Sequence, residues 1–92
     1  MKSNDERIRE KRKNSSEQAR LDLRNTMSTP HGRRLMWHIL STCGLYANCF
    51  DGSGARTAFN CGRQAVGQQL LAEILAAAPD EYMTMQREQA SS

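Results

Sequence analysis

Two histidines and three cysteines are the side chains of this chain that could hold a metal ion: His31, His38, Cys43, Cys49 and Cys61. Zinc sites in small proteins draw on these residue types at short spacings such as C-x-x-C or H-x-x-x-H. Neither spacing occurs here, and the histidines are seven residues apart. That separation is roughly 10 Å along a helix, too far for one shared ion. We therefore predict no metal site, with free thiols and surface imidazoles.

The sequence also lacks a catalytic pair, a phosphate-binding loop and a DNA-binding motif of recognisable spacing. Cys43 and His38 could serve as nucleophile and base, but they lie on opposite faces of a helix. The segment 51–57 is glycine-rich but lacks the Gly-Lys-Ser/Thr ending of a phosphate loop, so we expect a plain turn. The linker 44–56 is too long for a helix-turn-helix motif. We predict no catalytic residue, no cofactor and no enzyme activity.

One segment carries a complete set of helix signals. Thr29 can cap the first turn, and Pro30 suits the first helical position because no amide proton is needed there. Gly44 can adopt the left-handed conformation that ends a helix. The spacing therefore predicts a helix over 30–43 that carries the only tryptophan, Trp37.

Periodicity predicts further helices on both sides of that segment. A short helix is expected over 17–27, a long one over 57–78, and a short terminal one from Pro79. Gly62 belongs to the apolar stripe of the long helix although glycine lowers helix propensity, so we expect a close helix crossing there. The predicted fold is all-α: a small hairpin or bundle of two main helices, over 30–43 and 57–78, with short flanking helices and a basic N-terminal arm.

Three regions follow from this pattern: a basic flexible arm (1–16), a helical domain (17–85) and a frayed tail (86–92). Residues 1–34 hold ten Lys or Arg against five Asp or Glu, whereas residues 35–92 hold three against five. We expect the arm to be ordered only when a partner holds it, although a purely solubilising tail fits as well. The residues expected to contact a partner or nucleic acid are Arg7, Arg9, Lys11, Arg12, Lys13, Arg33 and Arg34.

Two apolar sets are expected to have different roles. The predicted core consists of Trp37, Leu40, Phe59 and Val66. The second half of the long helix is apolar nearly all the way round, more than a small body can bury alone. It therefore predicts a surface for self-assembly or another protein, formed by Leu70, Leu71, Ile74 and Leu75.

Arg33 and Arg63 lie on or beside apolar stripes. Long cationic side chains often reach past such a stripe into water. The alternative is that one of them pairs with a carboxylate when the fold or its assembly closes. A cation-π contact between Arg33 and Trp37 is compatible with either interpretation.

Length and composition limit the protein to one small domain. The chain has 92 residues, 5% of them aromatic, and a mean hydropathy of -0.73. We expect no membrane span and no secretion signal, hence a protein made and kept in the cytoplasm. An odd number of cysteines fits that reducing compartment.

The sequence resembles a family of small tailed-phage proteins first noted in a short-tailed Bordetella phage, as its protein nineteen. The resemblance covers roughly residues 20–78. It is carried by Ser28, Thr29, Pro30, Gly32, Arg33, Arg34, Trp37, Leu40, Cys43, Gly44, Thr57, Ala58, Phe59, Asn60, Gly62, Val66, Gly67, Leu70 and Leu71. It implies a virion or assembly component, and it brings no catalytic residue with it.

Two functions are therefore expected to compete. The first is a multi-copy virion component, a homo-oligomer or ring, bound to portal, capsid or ejection proteins in the host cytoplasm and then in the virion. The second is a small DNA-binding or regulatory protein that contacts DNA without sequence preference. Association with purified particles would distinguish them.

Overall fold

The described part of the chain folds into four α-helices. The computed structural model describes residues 3–91, and no β-strand occurs among them. The helices are α1 (Asn4–Met27), α2 (Pro30–Thr42), α3 (Gly54–Ala77) and α4 (Pro79–Ala90). The all-α class is confirmed, but the two longest helices are α1 and α3, with 24 residues each, and not α2 and α3.

Helix α1 runs without a break through the predicted boundary between arm and helical domain. The Ser3 hydroxyl caps it by accepting a hydrogen bond from the Glu6 amide at 3.3 Å. Asp5 and Glu6 lie in the first turn, where the helix dipole favours negative charge. Residues 3–22 are all exposed. The basic segment is therefore a solvated helix here, a flexible arm is not shown, and Met1 and Lys2 lie outside the described residues.

A tight corner joins α1 to α2. The Thr29 hydroxyl accepts a hydrogen bond from the Gly32 amide at 3.1 Å, and Pro30 occupies the first turn. Both predicted start signals are confirmed. Gly32 is buried, and a Cβ atom there would overlap the carbonyl oxygen of Thr26. The start of α2 can approach the end of α1 this closely because residue 32 has no side chain.

The connector between α2 and α3 folds back onto the first turns of α3. Gly44 ends α2 with a φ of 68°, as predicted. The side-chain amide of Gln64 donates hydrogen bonds to the carbonyl oxygens of Gly44 at 3.1 Å and Ala47 at 2.7 Å. Further along, the Asp51 amide donates to the Thr57 hydroxyl at 3.0 Å. The segment 51–57 is thus a turn attached to α3.

A disulfide links the same connector to α3, which corrects our expectation of three free thiols. Cys49 and Cys61 are bonded, with their Cα atoms 5.1 Å apart, and Cys43 is free. Their separation of 12 residues belongs to no recognisable motif. The pair comes together only because the connector reverses direction, which local spacing does not reveal.

The buried core takes residues from all four helices and from the α3–α4 junction. Its members are Met27, Leu40, Ile74, Ala78 and Met85. Half-buried side chains surround it: Leu23, Met36, Trp37, Leu45, Leu70, Leu71 and Tyr82.

Half of the predicted core is wrong. Leu40 is fully buried, as expected, and Trp37 packs against the core while remaining half-buried. Its indole ring stacks on Tyr46 with a centroid separation of 5.3 Å. Phe59 and Val66 are 68% and 62% exposed.

The rotation of α3 about its axis explains that error. A Cβ atom at Gly62, where we expected a close crossing, would meet nothing within 4 Å. The close approach is instead at Gly67, where a Cβ would lie 2.8 Å from the Cβ of Cys43. Gly67 and Ile74, seven residues apart, share the core face of α3. Phe59 and Val66 lie about a quarter turn away from that face.

Helix α4 begins at Pro79, as predicted, with Asp80 and Glu81 in its first turn. It continues to Ala90, so the chain differs from the frayed tail expected over 86–92; Ser92 lies outside the described residues. Long-range packing holds this last part, because Met85 is fully buried in the core.

Candidate assembly interface

The basic cluster of the sequence lies on the first half of α1. Its five members are all exposed: Arg7, Arg9, Lys11, Arg12 and Lys13. Helical geometry places Arg7 and Lys11 on one side of α1 and Arg9 and Lys13 on another. The positive charge therefore surrounds the helix and is not confined to one face.

Arg33 is engaged inside the protein, which corrects its assignment as a partner contact. Its Nε and Nη2 atoms donate to the two carboxylate oxygens of Glu88 at 2.7 and 3.1 Å. Its Nη1 atom donates to the Met27 carbonyl oxygen at 3.0 Å. The Arg33 side chain is only 11% exposed. The interpretation that Arg33 pairs with a carboxylate is thus confirmed, and the pair connects α2, α4 and the end of α1.

This ion pair shifts the pKa values of both of its side chains. The hydrogen bond to Arg33 lowers the pKa of the Glu88 carboxyl, and the nearby charge of Arg34 adds to the effect. The same hydrogen bond raises the pKa of the Arg33 guanidinium. Arg34 itself is exposed and stays a candidate contact.

Arg63 forms no ion pair within residues 3–91, so the pairing considered for it is not found there. Its guanidinium lies over the Phe59 ring, 5.8 Å from the centroid. This cation-π contact on α3 takes the place of the one suggested between Arg33 and Trp37.

The predicted assembly surface on α3 mostly faces inward. Ile74 is fully buried, and Leu70 and Leu71 are half-buried against the core. Leu75 is 44% exposed and is the one predicted member that lies at the surface. The sequence argument underestimated burial because α1, α2 and α4 all contact α3.

Apolar exposure occurs elsewhere on the molecule. Large apolar or aromatic side chains with substantial exposure are Ile8, Leu21, Leu35, Tyr46, Phe50, Phe59, Val66, Leu75 and Met83. Phe59 and Val66 are seven residues apart and share one face of α3. Exposed apolar side chains that occur singly are ordinary on a protein surface, and only a contiguous patch marks a contact surface.

A cleft of about 250 Å³ separates α1 from the second half of α3. Its lining residues are Ser16, Ala19, Arg20, Leu23, Glu73 and Ala76. A second depression shares Ser16 and Arg20 and continues along α1 to Lys13 and Glu17. No sequence signal identified this cleft, since it depends on how two helices distant in the chain cross.

A small polar network ties the connector to α4. The Tyr46 and Tyr82 hydroxyls lie 3.2 Å apart, and the side-chain amide of Gln86 donates to them at 3.1 and 2.8 Å. Partial desolvation of the phenol, together with the hydrogen bond to Tyr82, raises the pKa of Tyr46 to about 12. This network has a structural role, because it fixes the position of the aromatic stack on Trp37.

Residues 3–91 contain no group of three or more His, Cys, Asp or Glu side chains placed to hold a metal ion. Within that same range, no helix has the length and apolar content needed to cross a membrane. The features that stand out are therefore surfaces: a charged helix, exposed apolar side chains and a cleft.

Fold and surface together define a small all-α protein whose longest exposed feature is a basic helix. A family model described as Bbp19-like phage protein matches residues 23–87 of the chain. The chain belongs to this family, and the match includes most of α4, beyond the range over which we saw the resemblance. No curated protein and no solved structure matched the chain.

Proposed function

We propose that this protein is a small, non-enzymatic structural component of a phage particle. It is present in several copies and binds other virion proteins at the portal, in the head interior or in the ejection apparatus. It is made in the host cytoplasm and then enters the virion. Membership of a phage protein family supports the phage setting.

The first half of α1 is the observation that carries this proposal. Residues 3–22 are all exposed, although they form most of a 24-residue helix. A helix of that length with few apolar contacts is marginally stable in water on its own. A second macromolecule that packs against α1 would stabilise it, and its basic side chains would favour an acidic partner.

The non-enzymatic part of the proposal is supported by the ionisable groups whose pKa values are displaced. Arg33 and Glu88 bind each other, and Tyr46 is held by Tyr82 and Gln86. Each shift is therefore explained by a structural contact between helices or between a helix and the connector.

Non-specific DNA binding is the alternative that the basic cluster favours. Lys and Arg on α1 could neutralise phosphates, but no aromatic residue lies among residues 3–27 to stack on bases. DNA association of this kind would decrease steeply as salt rises and would not depend on sequence.

Mass spectrometry of gradient-purified particles tests the proposal. We expect the protein to remain with particles after a nuclease treatment that removes external DNA, at more than one copy per particle. A deletion of residues 1–16 is the matched variant, and it should reduce incorporation. Recovery of the protein only in the soluble, DNA-bound fraction would overturn the virion role in favour of the alternative.

A further inference from the structure

Two separate sets of contacts hold the connector between α2 and α3. Gln64 holds its first part, because the side-chain amide donates to the carbonyl oxygens of Gly44 at 3.1 Å and Ala47 at 2.7 Å. The stack of Tyr46 on Trp37 holds the same part from the other side of the chain's turn. These contacts involve no sulfur atom, so the first part of the connector keeps them whether or not a disulfide is present.

The later part of the connector, residues 48–53, depends on the Cys49–Cys61 bond, which joins it to α3. The Asp51 amide also donates to the Thr57 hydroxyl at 3.0 Å, but this hydrogen bond is exposed to water, which competes for the same groups. Phe50 is 71% exposed and therefore buries little surface. Reduction of the bond thus frees this part of the connector from α3.

The two bonded cysteines lie outside the buried core cluster. That cluster takes its members from the four helices and the α3–α4 junction, so the helical fold does not require the bond. Cys49 and Cys61 are half-buried, and their neighbours Asn48, Phe50 and Gly62 are exposed. A small thiol or disulfide in solution can therefore approach the pair.

The third cysteine lies on another side of α3. The Sγ atom of Cys43 is 3.7 Å from a Cβ built at Gly67. Cys61 precedes Gly67 by six residues, which is about 9 Å along the helix and about a third of a turn around it. The Cα atoms of Cys49 and Cys61 are 5.1 Å apart, within the range that a disulfide needs. The same two sulfur atoms are thus placed to bond again after reduction.

The compartment of synthesis opposes this bond. Glutathione and thioredoxin keep protein thiols reduced in a cytoplasm, and the proposed function places synthesis of this protein there. A particle released by lysis leaves those reductants behind. One chain therefore meets a reducing and an oxidising medium in a single phage cycle.

We propose that Cys49 and Cys61 form a redox switch, an inference that rests on the proposed function. The pair is two thiols in the host cytoplasm and a disulfide in the released particle. Closure transfers two electrons and two protons from the thiols to a small disulfide such as oxidised glutathione, which leaves as two thiols. A small thiolate reverses the step through a mixed disulfide. Closure fixes residues 48–53 on α3 while the particle is outside a cell.

Thiol trapping in cells that produce the phage tests this switch. Cells are quenched with acid before lysis, and released particles are purified without reductant. Both samples then react with a maleimide large enough to shift the protein band once for each free thiol. We expect three free thiols per chain before lysis and one, Cys43, in released particles.

Cys43→Ser is the matched control, because it removes the thiol that takes no part in the bond. It should show two free thiols before lysis and none in particles. A wild type with a single free thiol before lysis has a permanent disulfide, and three free thiols in particles mean that the bond never closes. Either result would overturn the switch.

Nuclear magnetic resonance relaxation on the purified full chain tests whether the release is local. With dithiothreitol, the backbone order parameters of residues 48–53 should fall below about 0.6, and those of residues 44–47 should stay near the rigid value of about 0.85. Cys49→Ser with Cys61→Ser should show the low values without reductant. Unchanged order in residues 48–53, or loss of order in all four helices, would overturn a local switch.

Purified protein separates this inference from the function on which it rests. If the protein is absent from particles, the same trapping is done in glutathione buffers of cytoplasmic and of oxidising poise. Three free thiols in the first and one in the second then support the switch, although the virion role is wrong. If the protein is in particles but its thiols do not change at release, the switch is wrong and the virion role stands.

Discussion

Gly32 and Gly62 both lie inside helices but have opposite surroundings. Gly32 sits at the α1–α2 corner, against the carbonyl oxygen of Thr26 and 2.8 Å from the Thr29 hydroxyl, measured from a Cβ built at residue 32. Gly62 has open space around it. One glycine is therefore required by packing, and the other only adds conformational freedom to the unfolded chain.

Alanine substitutions should separate these two roles. Gly32→Ala should lower the free energy of unfolding by about 1–3 kcal/mol, because the corner must open to fit the methyl group. Gly62→Ala should raise it by about 0.5–1 kcal/mol, because alanine favours the helix. Urea unfolding followed by circular dichroism measures both. Wild-type stability of Gly32→Ala would contradict the close approach at the corner.

The Arg33–Glu88 ion pair predicts a specific pH dependence of stability. The pKa of Glu88 is lowered in the folded state from its ordinary value of 4.5. Its contribution to stability is therefore present above pH 4.5 and is lost as the pH falls through the lowered folded pKa. The Glu88→Gln variant should melt below the wild type at pH 7, and the two melting temperatures should approach each other as the pH falls through that lowered pKa.

Thermal melts of both proteins from pH 3 to pH 7 check this prediction. Glu17→Gln serves as the control, because Glu17 is exposed on α1, and it should show a much smaller difference at every pH. A gap between wild type and Glu88→Gln that stays constant over this range would contradict the ion-pair assignment.

At the scale of elements, the α2–α3 connector is attached to α3 by two different means. Gln64 hydrogen-bonds its first part, and the Cys49–Cys61 disulfide holds its later part. The bond closes a loop with a sequence separation of 12. A cross-link of this size stabilises mainly by limiting the unfolded chain.

Reduction of the disulfide should lower the free energy of unfolding by about 3 kcal/mol on the loop-entropy account. Urea titrations with and without dithiothreitol measure the loss. Cys43→Ser should respond to the reductant like the wild type, since Cys43 is free. The double variant Cys49→Ser/Cys61→Ser should not respond. A wild type indifferent to the reductant would show that the bond does not form in solution.

The exposed half of α1 should be dispensable for the fold. Deletion of residues 1–16 removes no side chain of the buried core, so the free energy of unfolding should change by less than about 0.5 kcal/mol. Partner binding should weaken, and binding of the full chain should weaken with added salt. Unfolding of the truncated protein, or undiminished assembly at physiological salt, would contradict the role of this segment as a partner-binding element.

The whole molecule is open in shape for its size. Its radius of gyration is 16.8 Å, with extents of 56, 36 and 16 Å, whereas a compact chain of this length has a radius of gyration of about 12 Å. Five residues form the fully enclosed core cluster. A small core combined with a projecting helix predicts modest stability for an isolated copy.

The isolated protein should therefore self-associate or show a free energy of unfolding of no more than about 3–5 kcal/mol, the range of a small single core. Sedimentation velocity and equilibrium unfolding at several protein concentrations test this together. A monomer at every concentration, with a sharp melt that does not shift and a stability well above that range, would contradict it.

Local signals in the sequence determined the helices and several of their ends. Thr29 and Pro30 predicted the start of α2, Gly44 its end, and Pro79 the start of α4, and all four are confirmed. Such signals suffice because caps, proline and left-handed glycine act on neighbouring backbone groups within one turn. The exposed basic cluster could be identified in the same way, from charge alone.

Tertiary structure decided which faces are buried and which distant residues meet. The rotation of α3 depends on the approach of Gly67 to Cys43, the residue that follows α2. That contact buries Ile74 and leaves Phe59 exposed, whereas periodicity gives only the spacing along the stripe. The Arg33–Glu88 pair, 55 residues apart, and the cleft beside Ala19 arise in the same way from helix packing. A single helix cannot encode them, because its periodicity defines faces but not the partner that each face meets.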